Sequence, residues 1–514
     1  MEARDTCAQV IAKIARIECP RKMWPQLIPG LQQHIMNSNN SALMQSSTHA
    51  IGMCCEEVDP SSFTQDDFNK ILTAIVFAMN RKDAETAVRG CKAMFLALEF
   101  IENNMKAKRE RDAIMTNICN ATRNSDAKVR KMAFECLWRV AEIYYEYLSG
   151  YMQALFGLTL KCVNQDQPHV AIQALEFWLT ICEVEAGIVE DAAEGKVNPQ
   201  KSANYARGAF KHLLPLIFTT LTKQDEDQDE DSWNIAKAGG VCLKLLTYVA
   251  FLSLSLSLFQ HTHAHTHTLI IMRYCVGPDC CAPVLQFITS KIQSQNWRDR
   301  EAAYLAFGSV LIDKTKAAME KATSQILPHM VKTIERDPHE LVKDTSCWAL
   351  GVIMDKYGAM LPKNARDACV RILIGALTLK PSIANNAAYG IHNLGVAAEQ
   401  LEDGQNFIGS YFEPCVKALL QAGEREDADE SNLRMSSYEA INVLIEATTD
   451  ESTHLVKQLV PLFCGKLGKY IQMSKAGNKI PDQVRVCVCV CVCYSRCYLP
   501  YPLMYLSTLI HSTI

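Results

Sequence analysis

The chain has 514 residues, of which 49% are hydrophobic and 21% are charged, and its formal net charge is −4. These proportions are typical of a folded protein with a sizeable apolar core. The slightly negative charge argues against broad binding to nucleic acid or to an anionic membrane, because either needs an extended basic surface.

The cysteines and the amino terminus indicate an intracellular protein. Most of the 22 cysteines stand singly in apolar runs, as at Cys91, Cys136 and Cys347, which is how reduced, buried thiols are used inside cells. The polar start of the chain shows no signal peptide. The longest apolar tract, near 248–259, is short and broken by serines, so we expect no membrane span.

Two kinds of helical segment alternate along the chain. One kind starts with proline or an acidic residue, as at 24–31 and 67–76, and the other follows a turn with Asp or Asn and a basic residue. Arg89, Arg130 and Ala171 mark the second kind at intervals of 41 residues. Both kinds carry apolar residues at the helix period. Two helices in forty-odd residues predict an all-α fold, an α-solenoid of antiparallel HEAT-type helix pairs.

The basic residue at the start of each second helix favours HEAT repeats over armadillo repeats. An Asp of one repeat and an Arg of its neighbour can pair and hold the stacking register, although each Asp can also be an ordinary helix cap. The pattern predicts about nine helix pairs, a lone second-type helix at 5–18 and a lone first-type helix near 454–472. We expect that both ends are cut within the array.

An acidic run interrupts one of the repeats. Six of the seven residues from 225 to 231 are acidic, and Trp233 stands just beyond them. A block of like charge repels itself, so we expect an exposed loop between the two helices of one repeat, or more simply a solvated linker. The acidic residues are Asp225, Glu226, Asp227, Asp229, Glu230 and Asp231.

Two segments do not fit the repeat. Residues 251–268 alternate Leu-Ser and then His-Thr, and residues 486–493 alternate Val-Cys, as translated dinucleotide repeats would. The first lengthens the spacing from Lys237 to Arg300 to 63 residues, and we expect it to break the helix there. The predicted division lists HEAT repeats at 1–248, an intron-like insertion at 249–274, further HEAT repeats at 275–480 and an aberrant tail at 484–514.

A metal-binding protein is a weaker alternative, based on these same two segments. The histidines alternate along an expected loop, and the cysteines lack the two-residue spacing of a zinc knuckle. They are His261, His263, His265 and His267, and Cys487, Cys489, Cys491, Cys493 and Cys497. The chain also lacks a phosphate-binding glycine loop, GxSxG, HExxH and CxxC. We therefore predict a binding scaffold that is not an enzyme and has no cofactor or metal.

Several stretches resemble the importin-β family, in order along 1–248 and 275–480. They are TLTKQDEDQDEDSWNIAKAGGVCL at 220–243, WPQLIP at 24–29, ILTAIV at 71–76, NWRDREAA at 296–303 and KDTSCW at 343–348. The resemblance implies a HEAT superhelix that imports proteins with basic localisation signals, directly or through importin-α. It also implies binding to FG nucleoporins, release of cargo by Ran-GTP, and residence in cytoplasm, nucleus and nuclear pore. The alternative is a generic HEAT scaffold without transport activity.

The resemblance also implies binding residues. The acidic run would meet basic cargo segments and Ran. Trp233 and Trp348 match two tryptophans that grip the basic helix of importin-α, and Tyr389 stands where a third is expected. Repeats absent from the start of this chain would weaken Ran binding, and the absent carboxyl half would weaken the importin-α grip.

A pocket for nucleoporin phenylalanines is implied between two neighbouring first-type helices. Its predicted residues are Leu72, Thr73 and Val76 on one helix and Glu110 and Ile114 on the other. A phenylalanine expected beside Ile114 is Ala113 here, which would leave the pocket apolar but less well packed.

Overall fold

A computed structural model describes residues 2–194, 196, 201–225, 233–259, 277–312, 316–401, 405–448 and, further on, 454, 456–457, 459, 461 and 465. Within these residues every regular element is helical. The prediction of an all-α fold is confirmed.

The helices alternate along the chain as predicted. In the first half they are α1 (Glu2–Glu18), α2 (Leu27–Asn37), α3 (Ser41–Glu57), α4 (Gln65–Met79), α5 (Ala84–Ala97), α6 (Glu102–Lys106), α7 (Lys108–Ala121), α8 (Ala127–Ile143), α9 (Met152–Gln165), α10 (Pro168–Ala193), α11 (Tyr205–Leu221) and α12 (Ile235–Phe259). In the second half they are α13 (Gly277–Lys291), α14 (Trp297–Val310), α15 (Lys316–Arg336), α16 (Glu340–Tyr357), α17 (Lys363–Ala376), α18 (Pro381–Glu399), α19 (Gly409–Gly423) and α20 (Leu433–Glu446). Short 3₁₀ turns lie at Pro60–Ser62, Tyr145–Gly150 and Glu430–Asn432.

Nine first-type helices pair with nine second-type helices among the described residues, as the spacing predicted. The first-type helices are α2, α4, α7, α9, α11, α13, α15, α17 and α19, and each packs on the second-type helix that follows it. The lone second-type helix is α1. The lone first-type helix expected near 454–472 lies largely outside the described residues.

Side-chain caps start several of these helices where the turn residues predicted them. Asn40 and Asp126 accept hydrogen bonds from backbone N–H groups at the starts of α3 and α8, and Thr64 and Asp67 form a reciprocal capping box on α4. Asp83 caps α5, and hydrogen bonds from Thr86, then from Gln45 and Ser41, lower the pKa of its carboxyl to about 2. The last two bonds tie the cap to the preceding repeat.

The chain forms two compact units, Met1–Ala264 and His265–Ile514, and the boundary falls inside the predicted insertion at 249–274. In the first unit the second-type helices α1, α3, α5, α8, α10 and α12 pack in sequence, each on the next. In the second unit α14, α16, α18 and α20 do the same. First-type helices of neighbouring repeats touch more sparsely. The second-type helices therefore make the tightly packed row of each unit.

The predicted pairing between neighbouring repeats is present twice, with the same geometry. Arg130 donates from Nε and Nη2 to the two carboxylate oxygens of Asp166, both at 2.7 Å. Arg300 does the same to Asp337, at 2.7 and 2.8 Å. In both cases Nη1 also donates to two backbone carbonyls of the preceding turn. Each arginine thus joins one turn to the next repeat.

Other arginines of the pattern pair differently. Arg89 donates to Asp5 of α1 at 2.7 Å and lies 3.0 Å from His49 Nδ1 of α3, so its link runs backward across two second-type helices. Arg434 pairs with Asp429 of the adjoining turn at 2.8 Å. Among the described residues, a carboxylate partner in the next repeat is seen for Arg130 and Arg300, while Arg89 pairs backward.

The helix after the acidic run does not end where the insertion was expected to begin. α12 runs from Ile235 to Phe259 and so includes the Leu-Ser alternation. Leucine and serine are both compatible with a helix, so dipeptide alternation alone does not terminate one. The expected break at 249 is therefore not seen, while residues 260–276, with the four alternating histidines, lie outside the described residues. The predicted tail at 484–514, with its five cysteines, lies outside them too.

The single cysteines of the helices are mostly core residues. Burial raises the pKa of Cys91 and of Cys415 to about 12 and that of Cys136 well above its ordinary value. Such thiols pack as small apolar groups. No helix among the described residues is long and apolar enough to cross a membrane.

Candidate binding surface

The acidic run lies between the two helices of one repeat, as predicted. α11 ends at Leu221, and α12 begins at Ile235. Asp225 is exposed at the start of the run. The other acidic residues of the run lie outside the described residues; they are Glu226, Asp227, Asp229, Glu230 and Asp231.

Trp233 stands in the short segment just before α12 rather than on a helix, and 51% of its surface is exposed. It borders a cavity of about 520 Å³ that α8 and α10 also line. On α8 the cavity is lined by the half-buried Trp138, whose indole N–H donates to Gln173 Oε1 on α10 at 3.2 Å. We call this cavity the Trp138 cleft. Its lining residues are Trp138, Glu142, Gln173, Glu176, Thr180, Glu183, Val184 and Trp233.

Carboxylates line the floor and rim of the Trp138 cleft. Glu142 is neutralised by Arg139 at 2.6 Å. Glu176 is half-buried, and burial raises the pKa of its carboxyl, while a hydrogen bond from Trp233 and the nearby Glu183 act less strongly and in opposite directions. Within the described part of the chain, neither Glu176 nor Glu183 has a lysine or arginine in ion-pair range.

In the second unit, Trp348 and Tyr389 lie on neighbouring second-type helices and each rests on a glycine of the preceding one. A Cβ at Gly308 of α14 would lie 2.4 Å from Cζ3 of Trp348, and one at Gly351 of α16 would lie 2.6 Å from Cδ1 of Tyr389. The glycines therefore seat the two rings. Trp348 is half-buried and Tyr389 is 38% exposed. An outward ring face held in this way can bind a cation.

Two amide side chains of α18 bond to α16 and fix the register between the helices that carry Tyr389 and Trp348. Asn393 of α18 donates to the backbone oxygen of Gly351 at 2.9 Å, inside the core. Asn386, also on α18, donates to the carboxylate of Asp344 at 3.0 Å, one turn before Trp348.

The predicted nucleoporin residues lie on α4 and α7, two first-type helices that touch. Leu72 and Ile114 are buried, Val76 is half-buried, and Thr73 and Glu110 are exposed. Ala113, beside Ile114, is exposed as well. We call the surface between these helices the α4/α7 groove.

Hydrogen bonds close the α4/α7 groove at both ends. At one end Asn104 donates to Asn69 at 2.9 Å and to Glu110 at 2.6 Å, which fixes the glutamate. At the other end Asn80, the residue just after α4, donates to Asn117 of α7 at 2.7 Å. These bonds link the ends of α4 and α7 on either side of Leu72 and Ile114.

Sequence reasoning missed Trp138, Glu176 and Glu183. A signal was present, because Trp138 follows Glu135 by three positions and precedes Glu142 by four, which places a large apolar ring on the polar face of α8. On α10, Glu176 and Glu183 are seven positions apart and therefore share a face. Only the packing of α8 on α10 brings these two faces together.

The described residues contain no cluster of three or more His, Cys, Asp or Glu side chains that would hold a metal ion. The histidines and cysteines considered as ligands lie outside those residues.

A stack of helix pairs with aromatic and carboxylate side chains along its second-type helices defines a helical-repeat binding scaffold. Two family descriptions match parts of it: a HEAT-like repeat at 297–352, and the TPR repeats of importin subunit beta-1-like proteins at 368–487. The chain is 36% identical to importin subunit beta-1 of Arabidopsis thaliana over 92% of its length, and 32% identical to that of Schizosaccharomyces pombe over 94%. It covers 53% and 54% of those two relatives, about half of each.

Solved structures of importin-β proteins show the same similarity. Yeast importin-beta (Kap95p) superposes with a TM-score of 0.84 at 28% identity, over 98% of this chain and 56% of the yeast protein. Kap95 in complex with Nup1 superposes with a TM-score of 0.80 at 27% identity, over 99% of this chain and 57% of Kap95. Kap95p with RanGDP superposes with a TM-score of 0.78 at 28% identity, over 98% of this chain and 56% of Kap95p. Over nearly its whole length, the chain is thus similar to about half of an importin-β protein.

Proposed function

We propose that this chain acts in nuclear import as a receptor for proteins with basic localisation signals, which it binds directly or through importin-α. The observation that supports this most directly is a series of exposed or half-buried aromatic rings: Trp233, which follows the acidic run, and Trp348 and Tyr389, which pack on glycines. Such rings bind lysine and arginine side chains, and the carboxylates raise the rate of encounter.

We propose two further partners. A Kap95 structure with Nup1 and one with RanGDP are among the similar structures, and this chain resembles both in fold. FG nucleoporins would bind the α4/α7 groove, with a phenylalanine against Leu72, Val76 and Ile114, and Ran-GTP would displace cargo near the acidic run. The receptor would then occur in cytoplasm, nucleus and nuclear pore.

Neutralising the acidic run tests the cargo proposal. Replacing its six carboxylates by the matching amides is expected to weaken binding of a basic localisation-signal peptide about tenfold at low salt, because the run supplies long-range attraction. The salt dependence of the affinity should become shallower, since fewer screened charges contribute. Fluorescence anisotropy across a salt series measures both.

The control neutralises exposed carboxylates on first-type helices, such as Glu335 and Glu413, and should leave peptide binding unchanged. If the acidic-run variant and this control bind the peptide equally, the run has no role in cargo binding. A generic scaffold without transport activity, the alternative reading, predicts that outcome together with no binding to FG peptides.

The α4/α7 groove offers a gain-of-function test. Ala113→Phe would place a ring beside Ile114 at an exposed position, so it should strengthen binding of an FG-repeat peptide about threefold to tenfold through the added apolar contact. Pull-down on immobilised FG peptide, with a serine-glycine peptide as the blank, measures the change.

Gln421→Phe, at an exposed position on the first-type helix α19, controls for added surface hydrophobicity. Equal gains from Ala113→Phe and Gln421→Phe would show non-specific stickiness and would remove the α4/α7 groove as the site.

A further inference from the structure

Helix α1 carries an apolar stripe on the side that faces away from its own core. The helix packs on α3, and its buried residues include alanines at positions 8, 12 and 15. On the opposite side Val10, Ile14 and Ile17 are 51%, 40% and 58% exposed. Single exposed apolar residues are ordinary, but these three share one helix face with the exposed Ala3 and Cys7. A contiguous apolar face of this kind indicates an interaction surface.

The spacing within the stripe is that of a coiled-coil seam. Ala3, Cys7, Val10, Ile14 and Ile17 follow one another at steps of four, three, four and three residues. This alternation is the heptad repeat, in which side chains of one helix insert between side chains of a partner helix. The seam therefore predicts that the partner presents an α-helix, which lies nearly along α1.

The seam is self-complementary when two copies of α1 run antiparallel. If Val10 of one copy lies against Ile14 of the other, the next layer brings Cys7 against Ile17. Two-fold symmetry repeats both layers, so one register gives four apolar layers from a single helix.

The charges beside the seam match in the same register. It sets Arg4 of one copy opposite Glu18 of the other, and symmetry makes this pair twice. Within the part of the chain that the structure describes, neither Arg4 nor Glu18 has an ion-pair partner. The like charges that would meet on the other flank are the two copies of Lys13, and each is already paired with Glu57 of its own α3.

We infer that two copies of this chain associate through an antiparallel pair of α1 helices. A second copy fits better than an unrelated helix, because the register that aligns the apolar layers also pairs the free charges. The seam belongs to one helix of 17 residues, so the association is weak, with a dissociation constant on the order of 10 μM. This self-association goes beyond the proposed function and uses none of its sites.

A charge-swap experiment tests the register. Arg4→Glu sets glutamate opposite glutamate at both ends of the helix pair, and Glu18→Arg sets arginine opposite arginine, so each variant alone should associate about tenfold more weakly. In an equimolar mixture the two variants are complementary at both ends, and mixed dimers should form with wild-type affinity. A parallel pair would not show this rescue, because positions 4 and 18 would then lie at opposite ends. Sedimentation velocity of the whole chain over a concentration series measures each case.

The apolar layers are tested separately. Val10→Asp should weaken the association at least about tenfold, because a carboxylate would be buried against Ile14 of the other copy. Met360→Asp, at a residue of the second unit that is 56% exposed, is the matched control and should associate as wild type does. Circular dichroism melts show whether each variant is folded.

Three outcomes would overturn the inference. The wild-type chain could be monomeric at every concentration, and protection of α1 from hydrogen exchange in that monomer would show that another segment of the same chain covers the stripe. The mixture of charge variants could remain monomeric, which would exclude the antiparallel register. Val10→Asp could associate as wild type does, which would place the contact elsewhere. The proposed function is judged separately, by the peptide affinities described above.

Discussion

Arg130→Met is expected to destabilise the contact between α8 and α10 by on the order of 3 kcal/mol, because it leaves the shielded carboxylate of Asp166 without its counter-ion. The side chains of Arg130 and Asp166 are 17% and 14% exposed. The substitution also removes the donors to the backbone oxygens of Asn124 and Ser125. Amide hydrogen exchange resolved along the chain is the suitable measurement, since a repeat array need not unfold in one step.

A second variant separates the stranded charge from the lost bonds. Asp166→Asn in the Arg130→Met background removes the unpaired charge and keeps an acceptor for the N–H of Gln167. This double variant should regain a large part of the lost protection. Arg336→Met, which breaks an exposed pair with Glu335, should change stability by about 0.5 kcal/mol or less. Equal losses in the single and double variants would contradict the charge argument.

The same pair predicts a pH dependence. The hydrogen bonds from Arg130 lower the pKa of the Asp166 carboxyl below its ordinary value. A carboxyl with a lowered folded-state pKa contributes stability above its unfolded pKa of about 4 and loses it as pH falls through the folded value. The deficit of Arg130→Met should therefore be full near neutral pH and shrink below about pH 4. A deficit that is constant with pH would show that the charge of Asp166 is not involved.

The sequence was sufficient for features that depend on spacing within a helix. Apolar periodicity predicted the helix pairs, and the recurring basic residue predicted pairing between neighbouring repeats, which Arg130 and Asp166 show. The sequence was insufficient for contacts that depend on which side chains a neighbouring repeat brings close. Nothing local shows that Arg89 pairs back to Asp5, or that Glu176 and Trp138 face one cavity, because the register between repeats is set by side-chain packing. The Leu-Ser alternation predicted a break that α12 does not show, since both residues are compatible with a helix.

The sequence also does not show which helical glycines make room for a neighbouring ring. From sequence alone Gly308 and Gly375 are equivalent, as each is a helical residue that costs about 1 kcal/mol relative to alanine. In the structure a Cβ at Gly308 would lie 2.4, 2.8 and 3.1 Å from three ring atoms of Trp348, whereas one at Gly375 would have nothing within 4 Å. The first glycine therefore positions a ring that is proposed to bind cargo, and the second does not.

Gly308→Ala is accordingly expected to displace the Trp348 ring and to weaken binding of a basic localisation-signal peptide about threefold to tenfold, as Trp348→Ala would. It should also destabilise the second unit by about 1–3 kcal/mol through overpacking. Gly375→Ala, the matched control, should bind the peptide as wild type does and be up to about 1 kcal/mol more stable. Peptide anisotropy and thermal melts measure the two effects.

The double variant Gly308→Ala with Trp348→Ala isolates the steric cause. With the indole gone, the added methyl has no ring to meet, so adding Gly308→Ala to Trp348→Ala should leave peptide affinity unchanged and should cost no stability. Additive losses would mean that the alanine acts through some other contact. Unchanged peptide binding in both single variants would remove Trp348 from the cargo surface. It would not affect the role proposed for the acidic run, which the amide variant tests.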